Sequence, residues 1–233
     1  MATAPLSGVR VLDLSRLLPG PYLSLLLADM GADVIKVEAP NGGDWVRFVP
    51  PSRGGLSVQF IALNRNKRSI AIDLKKPAGV DAFKRLVAET DVLIESFRPG
   101  VMERLGLGYE TLRQLNPRLV YAAISGYGQT GPYKHRAGHD LNYVSLGGAA
   151  AMTGEAGERS RLMGVQLGDV GGGSLFGAVN LLGALYARQA TGVGSFIDIS
   201  MTEGALAFNV LSLADASVGG SPTRGTEMLN GKL

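Results

Sequence analysis

The chain has 233 residues, of which 45% are hydrophobic and 18% are charged. This length is sufficient for one or two domains with a buried core, and the composition excludes disordered and fibrous proteins. The chain contains no cysteine, which excludes disulfides, iron–sulfur clusters, cysteine-based zinc sites and a thiol nucleophile, and its two histidines do not favour a histidine-rich metal centre. A net charge of +3 is mild, and it favours an anionic small ligand at least as well as nucleic acid.

Short apolar segments alternate with helical patterns through the first half of the chain. Strands are predicted over 9–14, 33–37, 69–74, 92–96 and 119–125, and helices over 22–30, 78–89 and 101–115. Nearly continuous apolar strands separated by helices are typical of a parallel sheet that is covered on both faces. The sequence therefore predicts a doubly wound, Rossmann-like α/β domain with a mostly parallel sheet.

Glycine accounts for 33 of the 233 residues, about 14% against the usual roughly 7%. It dominates 126–173, where we expect irregular structure and, because loops on a rigid scaffold commonly carry function, a site. A helix over 174–189, a strand over 196–200 and a helix over 203–214 are predicted to follow. We expect a large domain over 1–200, and over 201–233 a helix and linker leading toward a smaller domain that is largely missing.

Neither a signal peptide nor a membrane-spanning segment is predicted. The first residues lack a charged segment followed by an apolar one. The longest apolar stretch, about 178–187, is shorter than the roughly 20 residues that cross a bilayer. We therefore expect a cytoplasmic protein that has no membrane partner.

The turn after the first strand lacks the glycine fingerprints of dinucleotide-binding and ATP-binding folds. It reads LSRLLPGP over 14–21, which matches neither G-x-G-x-x-G nor G-x-x-x-x-G-K-[ST], and no G-x-S-x-G motif occurs in the chain. The fold alone therefore does not predict an NAD or ATP enzyme.

Basic residues instead gather at the predicted strand ends and loops, where a parallel sheet presents its ligand site. Each of them taken singly is more often a solvated surface charge, but as a set they favour a phosphorylated ligand. They are Lys36, Arg47, Arg53, Arg65, Lys67, Arg68, Lys75, Lys76, Arg98 and Arg104.

Two side chains in the glycine-rich segment are candidates for acid–base chemistry. His139 lies in a Gly-His-Asp sequence, and histidine is suited to proton transfer near neutral pH. Asp169 precedes three consecutive glycines, which would let a substrate approach the backbone N–H groups that stabilise an oxyanion. An aspartate at a helix start is most often a cap, and a single histidine is more often structural than catalytic, so both interpretations stay open here.

Six segments, in this order along nearly the whole chain, resemble the CaiB/BaiF family of class III CoA-transferases and their relatives. They are Leu6–Ser15, Leu27–Glu38, Asn64–Ser69, Ser96–Gly100, Ser125–Gly131 and Ala137–Tyr143. Within this family the chain is most similar to the α-methylacyl-CoA racemases. Those proteins carry histidine in the Gly-His-Asp context of His139, whereas the transferases usually have another residue at that position.

The resemblance implies that the protein interconverts the 2R and 2S epimers of a 2-methylacyl-CoA, with His139 as base for one epimer and Asp169 for the other. It implies that the backbone over 169–173 holds the thioester oxygen, and that no metal and no cofactor beyond the CoA moiety of the substrate is needed. The positions that match family contacts to CoA are Lys36, Ile72, Asp73, Leu74, Lys75, Arg98, Gly138, Asp140, Leu141, Asn142 and Tyr143, with Arg104 a further phosphate candidate.

Family members resemble interlocked homodimers, in which the smaller domain of the partner completes the site, and they are considerably longer than this chain. Only the segment near 225–231 corresponds to the start of that smaller domain. Two alternatives stay open: a CoA-transferase in which Asp169 is a nucleophile that forms an anhydride and then a thioester, and an inactive CoA-binding protein. Nucleic-acid binding is disfavoured because the basic residues do not share one helix face.

Overall fold

The computed structural model of the chain describes residues 4–226. Its strands are β1 (Arg10–Asp13), β2 (Asp33–Glu38), β3 (Ser52–Arg53), β4 (Leu56–Ser57), β5 (Lys67–Ala71), β6 (Val92–Glu95), β7 (Val120–Ser125) and β8 (Ser195–Ser200). Its α-helices are α1 (Pro19–Asp29), α2 (Val58–Asn64), α3 (Pro77–Ala88), α4 (Val101–Arg104), α5 (Tyr109–Leu115), α6 (Asp140–Leu146), α7 (Phe176–Thr191), α8 (Met201–Ala207) and α9 (Val210–Ser217).

Six of the strands form one parallel sheet in the order β5-β2-β1-β6-β7-β8. From β1 the chain builds outward through β2 to β5, and from β6 it builds in the opposite direction through β7 to β8. The order therefore reverses between β1 and β6. This arrangement confirms the predicted doubly wound α/β fold.

Both faces of the sheet are covered at its centre, because successive residues of β1 and β6 point into core clusters on opposite sides. On one face Val11 and Ile94 pack in a cluster with Leu23 of α1 and Leu181 of α7. On the other face Leu12 and Leu93 pack in a cluster with side chains of α3, α4 and α5, among them Phe83, Met102 and Leu112. Burial on both sides explains the apolar residues at the centre of these strands, while the charged residues Arg10, Asp13 and Glu95 lie at their ends.

Several element boundaries differ from the predicted ones. The strand predicted over 69–74 is β5, which runs from Lys67 to Ala71. The helix predicted over 101–115 is divided into α4 and α5, because Gly106 adopts a left-handed conformation with φ +69°. The helix predicted over 203–214 is likewise two helices, α8 and α9. The β3–β4 hairpin and α2 were not predicted at all.

The glycine-rich segment is more regular than expected. It contains α6, a short 3₁₀ turn over Ala149–Met152 and a π-helix over Leu167–Leu175 that runs directly into α7. The combined stretch Leu167–Thr191 has 25 residues and a mean hydropathy of 1.3 in its most apolar window, so by length and composition it could cross a membrane. Its buried side chains, such as Leu181 and Leu185, belong to the core beside the sheet, and core helices of soluble proteins satisfy the same criterion.

α8 follows β8 directly and packs against the π-helix, where Ala205 is fully buried. The predicted division between residues 200 and 201 stays a prediction. The segment predicted to enter a smaller domain, near 225–231, lies outside the described residues from 227 onward.

Candidate active site

A cavity of about 780 Å³ opens at the carboxyl ends of β1, β6 and β7. This volume lies within the roughly 300–1,000 Å³ typical of small-molecule sites. The cavity is next to the reversal of strand order between β1 and β6, the place where doubly wound sheets bind their ligands. Both acid–base candidates, His139 and Asp169, line it.

Asp169 lies on the π-helix, a rare geometry that is frequent at functional sites. The glycines that follow Asp169 allow this helix to approach α8 very closely. A Cβ atom on Gly172 would be 2.7 Å from the carbonyl oxygen of Met201, and a Cβ atom on Gly204 would be 2.3 Å from the carbonyl oxygen of Gly172. At the end of the π-helix the Ser174 hydroxyl donates to the carbonyl oxygen of Pro19 at 2.7 Å. These contacts fix the position of the π-helix that carries Asp169.

Asp169 is half-buried, and its backbone N–H donates to Oδ1 of Asp140 at 2.7 Å. Burial and the negative charge of Asp140 raise the pKa of Asp169 to about 6, while His139 acts in the opposite direction. The carboxyl group can therefore hold or release a proton near neutral pH, as a general acid or base requires.

His139 is the exposed residue that precedes α6, and it lines the cavity from a different element than Asp169 does. Its backbone N–H donates to Oδ1 of Asn142 at 3.0 Å, which fixes the start of α6. The arrangement therefore places an imidazole and a carboxyl group on one cavity, although 29 residues lie between them in the chain.

Tyr143 supports the His139 segment from inside the protein. Its hydroxyl donates to the carbonyl oxygen of Gly138, and its ring contacts Tyr127 edge-on with centroids 5.3 Å apart. A Cβ atom on Gly126 would be 2.4 Å from the ring, and one on Gly138 would be 2.7 Å from it, so the ring packs closely against the backbone of both glycines. Burial, together with the charge of Asp169, raises the pKa of Tyr143, so its hydroxyl stays protonated.

The predicted oxyanion site over 169–173 is partly occupied within the protein. The N–H of Asp169 donates to Asp140, and the N–H of Val170 donates to the carbonyl oxygen of Gln166 at 2.9 Å. These two amides are therefore not free for a thioester oxygen.

The structure brings some of the residues predicted to contact CoA to this cavity and leaves others away from it. Those that line it are Arg98, Gly138 and Tyr143. Asp140 and Asn142 contact the backbone of the two acid–base residues instead, and Leu141 is half exposed on α6. Further positive charge at the cavity comes from Arg16, Lys134 and Arg136.

The four consecutive residues predicted to contact CoA after β5 lie at the edge of the sheet, outside the lining of this cavity. Ile72 is buried in the core, Leu74 packs against it, and Lys75 is exposed. Asp73 accepts a hydrogen bond from the Lys75 N–H at 3.1 Å. A hollow of about 640 Å³ between this edge and α3 is lined in part by Ile72 and Asp73. Their contact with CoA stays a prediction.

Lys36 is 1% exposed and does not reach the cavity. Its ammonium group forms an ion pair with Asp44 at 3.1 Å and donates to the carbonyl oxygen of Ser15 at 2.8 Å.

One wall of the cavity was not predicted from the sequence. It includes Arg16, Leu17, Trp45, Val46 and Gln59. Arg16 lies over the ring of Phe97 at 5.0 Å, and Trp45, the single tryptophan of the chain, is 65% exposed. An aromatic residue in a glycine-rich loop between strands is the one signal that could have indicated this wall.

Within residues 4–226, no group of three or more histidine, cysteine, aspartate or glutamate side chains is arranged to hold a metal ion.

A doubly wound sheet with an imidazole and a carboxyl group on one switch-point cavity defines an α/β protein with a candidate acid–base site. The chain belongs to CoA-transferase family III, whose sequence pattern matches residues 6–231. It is 44% identical over 205 residues to an acetyl-CoA:oxalate CoA-transferase of Acetobacter aceti, covering 88% of this chain and 52% of that protein. It is 43% identical over 199 residues to the human alpha-methylacyl-CoA racemase, covering 85% of this chain and 48% of that protein.

A solved structure supports the same assignment. A CaiB/BaiF family protein from Brucella suis superposes with a TM-score of 0.89 and is 38% identical, covering 96% of this chain and 60% of that one. The chain spans about half the length of the curated relatives it matches.

Proposed function

We propose that this site moves the proton on C2 of a CoA thioester and so interconverts the 2R and 2S epimers of a 2-methylacyl-CoA. The observation that carries the proposal is that His139 and Asp169 line one cavity from two different elements. Inversion at a carbon next to a carbonyl needs two groups in opposite protonation states on opposite faces, and an imidazole and a carboxyl group can supply them.

In one direction the imidazole of His139 removes the C2 proton, and the electron pair of the C–H bond moves into the thioester to form an enolate. The protonated carboxyl group of Asp169 then donates its proton to the other face of C2, and the carbonyl group forms again. The reverse direction begins with the Asp169 carboxylate as base. Proton exchange with water restores the starting protonation states of both groups.

The charges around the cavity support an anionic substrate and an anionic intermediate. Arg16, Arg98, Lys134 and Arg136 all line it, and guanidinium groups bind phosphate by charge-assisted hydrogen bonds. Apolar side chains such as Leu18, Ile124 and Met201 line the same cavity and offer contacts to an acyl group. The cavity therefore combines the features that an acyl-CoA requires.

The proposal is tested by deuterium incorporation at C2. The purified chain is incubated with one epimer of a 2-methylacyl-CoA in heavy water, and the C2 signal is followed by proton NMR. We expect exchange accompanied by epimerisation. Binding of CoA without any exchange at C2 would contradict the proposal and favour a CoA-binding protein without this activity.

The second candidate function is transfer of CoA between carboxylic acids. It is supported by the position of the Asp169 carboxyl group in the cavity and by an identity to the Acetobacter CoA-transferase that matches the identity to the human racemase. In this reaction the Asp169 carboxylate attacks the thioester carbonyl, and CoA leaves as a thiolate. The thiolate attacks the aspartyl carbonyl of the resulting anhydride, which releases the donor carboxylate and leaves an aspartyl-CoA thioester. The acceptor carboxylate displaces CoA from this thioester, and the thiolate then attacks the acceptor carbonyl of the second anhydride, which forms the new acyl-CoA and restores Asp169.

Replacing His139 by alanine separates the two functions. Exchange at C2 from the epimer that His139 deprotonates should be lost in the racemase. Transfer of CoA to an added carboxylate, measured by mass spectrometry, should persist in a transferase because its nucleophile is Asp169.

A further inference from the structure

A cluster of buried charges lies beside the cavity without lining it. Asp13, Lys36 and Asp44 are each at most 1% exposed, and the side chain of Lys67 is also 1% exposed. We call these four side chains the buried charge cluster. Burying charged groups is costly unless they are paired and hydrogen-bonded. The proposed proton transfer uses none of the four, so their burial needs another explanation.

Asp13, at the end of β1, is hydrogen-bonded through both oxygens of its carboxylate. Its carboxylate accepts hydrogen bonds from the hydroxyl groups of Ser15 and Ser24, and from the Lys67 ammonium group at 3.3 Å. Although burial acts to raise the pKa of Asp13, the charges of Lys36 and Lys67 and the two hydroxyl groups hold it below its ordinary value. Asp13 is therefore ionised and balances the positive charges beside it.

Lys36 connects the cluster to the two segments that form the unpredicted wall of the cavity. Its ammonium group donates to the carbonyl oxygen of Ser15 at 2.8 Å, next to Arg16 and Leu17. The same group pairs with Asp44 at 3.1 Å, which immediately precedes Trp45 and Val46. One buried cation therefore links the loop after β1 to the turn after β2.

Asp44 completes this link through the backbone of cavity residues. Its Oδ1 atom accepts hydrogen bonds from the N–H of Leu17 at 3.3 Å and from the N–H of Val46 at 3.1 Å. Leu17 has a left-handed backbone conformation with φ +67°, which is unfavourable for a residue with a branched side chain and persists only where its surroundings impose it. The hydrogen bond to Asp44 holds the N–H of Leu17 in this conformation.

We propose that Lys36 and Asp44 are positioning residues that hold the 15–17 loop and the 44–48 turn at the spacing a CoA thioester needs. The ligand named here, a CoA thioester, rests on the proposed function. The positioning of the loop and the turn by Lys36 and Asp44 does not depend on it. The proposal assigns Lys36 an indirect effect on CoA binding, through Ser15 and Asp44, in place of the direct contact predicted from the sequence.

The test neutralises the pair without leaving one buried charge unpaired. The variant Lys36→Met/Asp44→Asn keeps the length of the lysine stem and an oxygen acceptor at position 44, and it removes both charges. The single variant Lys36→Met serves as a comparison that leaves Asp44 unpaired. The control is Arg113→Gln, which breaks an exposed ion pair with Glu110 on α5.

Amide hydrogen exchange followed by NMR measures how often the hydrogen bonds of the wall open. In the double variant we expect the N–H of Leu17 to exchange at least about tenfold faster, while amides in the centre of β7 are unchanged, because the change is a local opening. Binding of CoA, measured by titration calorimetry, should weaken at least about tenfold, since the wall must now be ordered on binding. The control should change neither quantity more than about twofold.

Unchanged exchange at Leu17 in the double variant would overturn the proposal. Faster exchange at Leu17 with unchanged CoA affinity would also overturn it, because the cluster would then be structural only. If the wild-type chain does not bind CoA at all, the proposed function fails, and the exchange rate at Leu17 still decides whether the pair positions the wall.

Discussion

The ionisation of Asp169 depends on Asp140, which contacts it through the backbone. Asp140 accepts a hydrogen bond from the N–H of Asp169. Its negative charge adds to the effect of burial, and together they raise the pKa of Asp169 to about 6. A catalytic carboxyl group is most effective when its pKa lies near the working pH. The neighbouring carboxylate therefore has a chemical effect as well as a structural one.

Reactions that need the Asp169 carboxylate should lose activity as the pH falls through about 6, because the group is then protonated. The variant Asp140→Asn keeps an acceptor for the Asp169 N–H and removes the negative charge. The pKa of Asp169 should fall toward its ordinary value, and the acidic limb of kcat/KM should move to lower pH.

The measurement is a pH–rate profile for the epimer that Asp169 is proposed to deprotonate. Asp81→Asn, an exposed substitution on α3, is the control and should leave the acidic limb in place. An unchanged limb in Asp140→Asn would show that burial alone determines the pKa of Asp169.

At the scale of elements, the crossing of the π-helix and α8 determines where Asp169 lies. A Cβ atom at Gly204 would overlap the carbonyl oxygen of Gly172 at 2.3 Å, so Gly204→Ala should push the two elements apart. We expect a loss of roughly 1–3 kcal/mol in the free energy of unfolding, as is usual for overpacked sites, and a lower kcat for exchange at C2.

Gly183→Ala is the matched control, because a Cβ atom at this position on α7 meets nothing within 4 Å. It should increase the free energy of unfolding by about 0.5–1 kcal/mol through helix propensity. Urea unfolding gives both values. Equal effects of the two substitutions would contradict the close crossing.

The elements that the sequence predicts well are those whose pattern is set by burial on both faces. β1, β2, β6 and β7 are short apolar segments, and each was predicted within one or two residues. The π-helix was not predicted, since three consecutive glycines have low helix propensity and only the contact with α8 makes them favourable. α2 was not predicted because Phe60 is its one buried side chain, so its apolar residues do not repeat with the period of a helix packed on the core.

At the scale of the whole molecule, the sequence indicated the two candidate residues His139 and Asp169 but not the cavity that they line. His139 and Asp169 were predicted from local motifs, and the fold brings them together. The wall formed by Leu17 and Trp45 depends on contacts between the loop after β1 and the turn after β2, which no local pattern records. Lys36 was predicted to contact CoA because its burial beside Asp44 cannot be read from a local pattern. That burial follows only from the folded chain.

Helices α7 and α9 present exposed apolar side chains. Val179 and Tyr186 on α7, and Val210 and Leu211 on α9, are each more than 60% exposed. The homodimer expected from the family resemblance stays a prediction.

The proposed action of His139 and Asp169 on opposite faces of C2 is tested most directly by following each epimer separately in heavy water with two variants. Asp169→Asn should incorporate deuterium from the epimer that His139 deprotonates, with retention of configuration, because His139 still removes and returns a proton on one face. His139→Ala should show the complementary result with the other epimer. Loss of exchange from both epimers in either variant, or inversion in both variants, would contradict the two-base account.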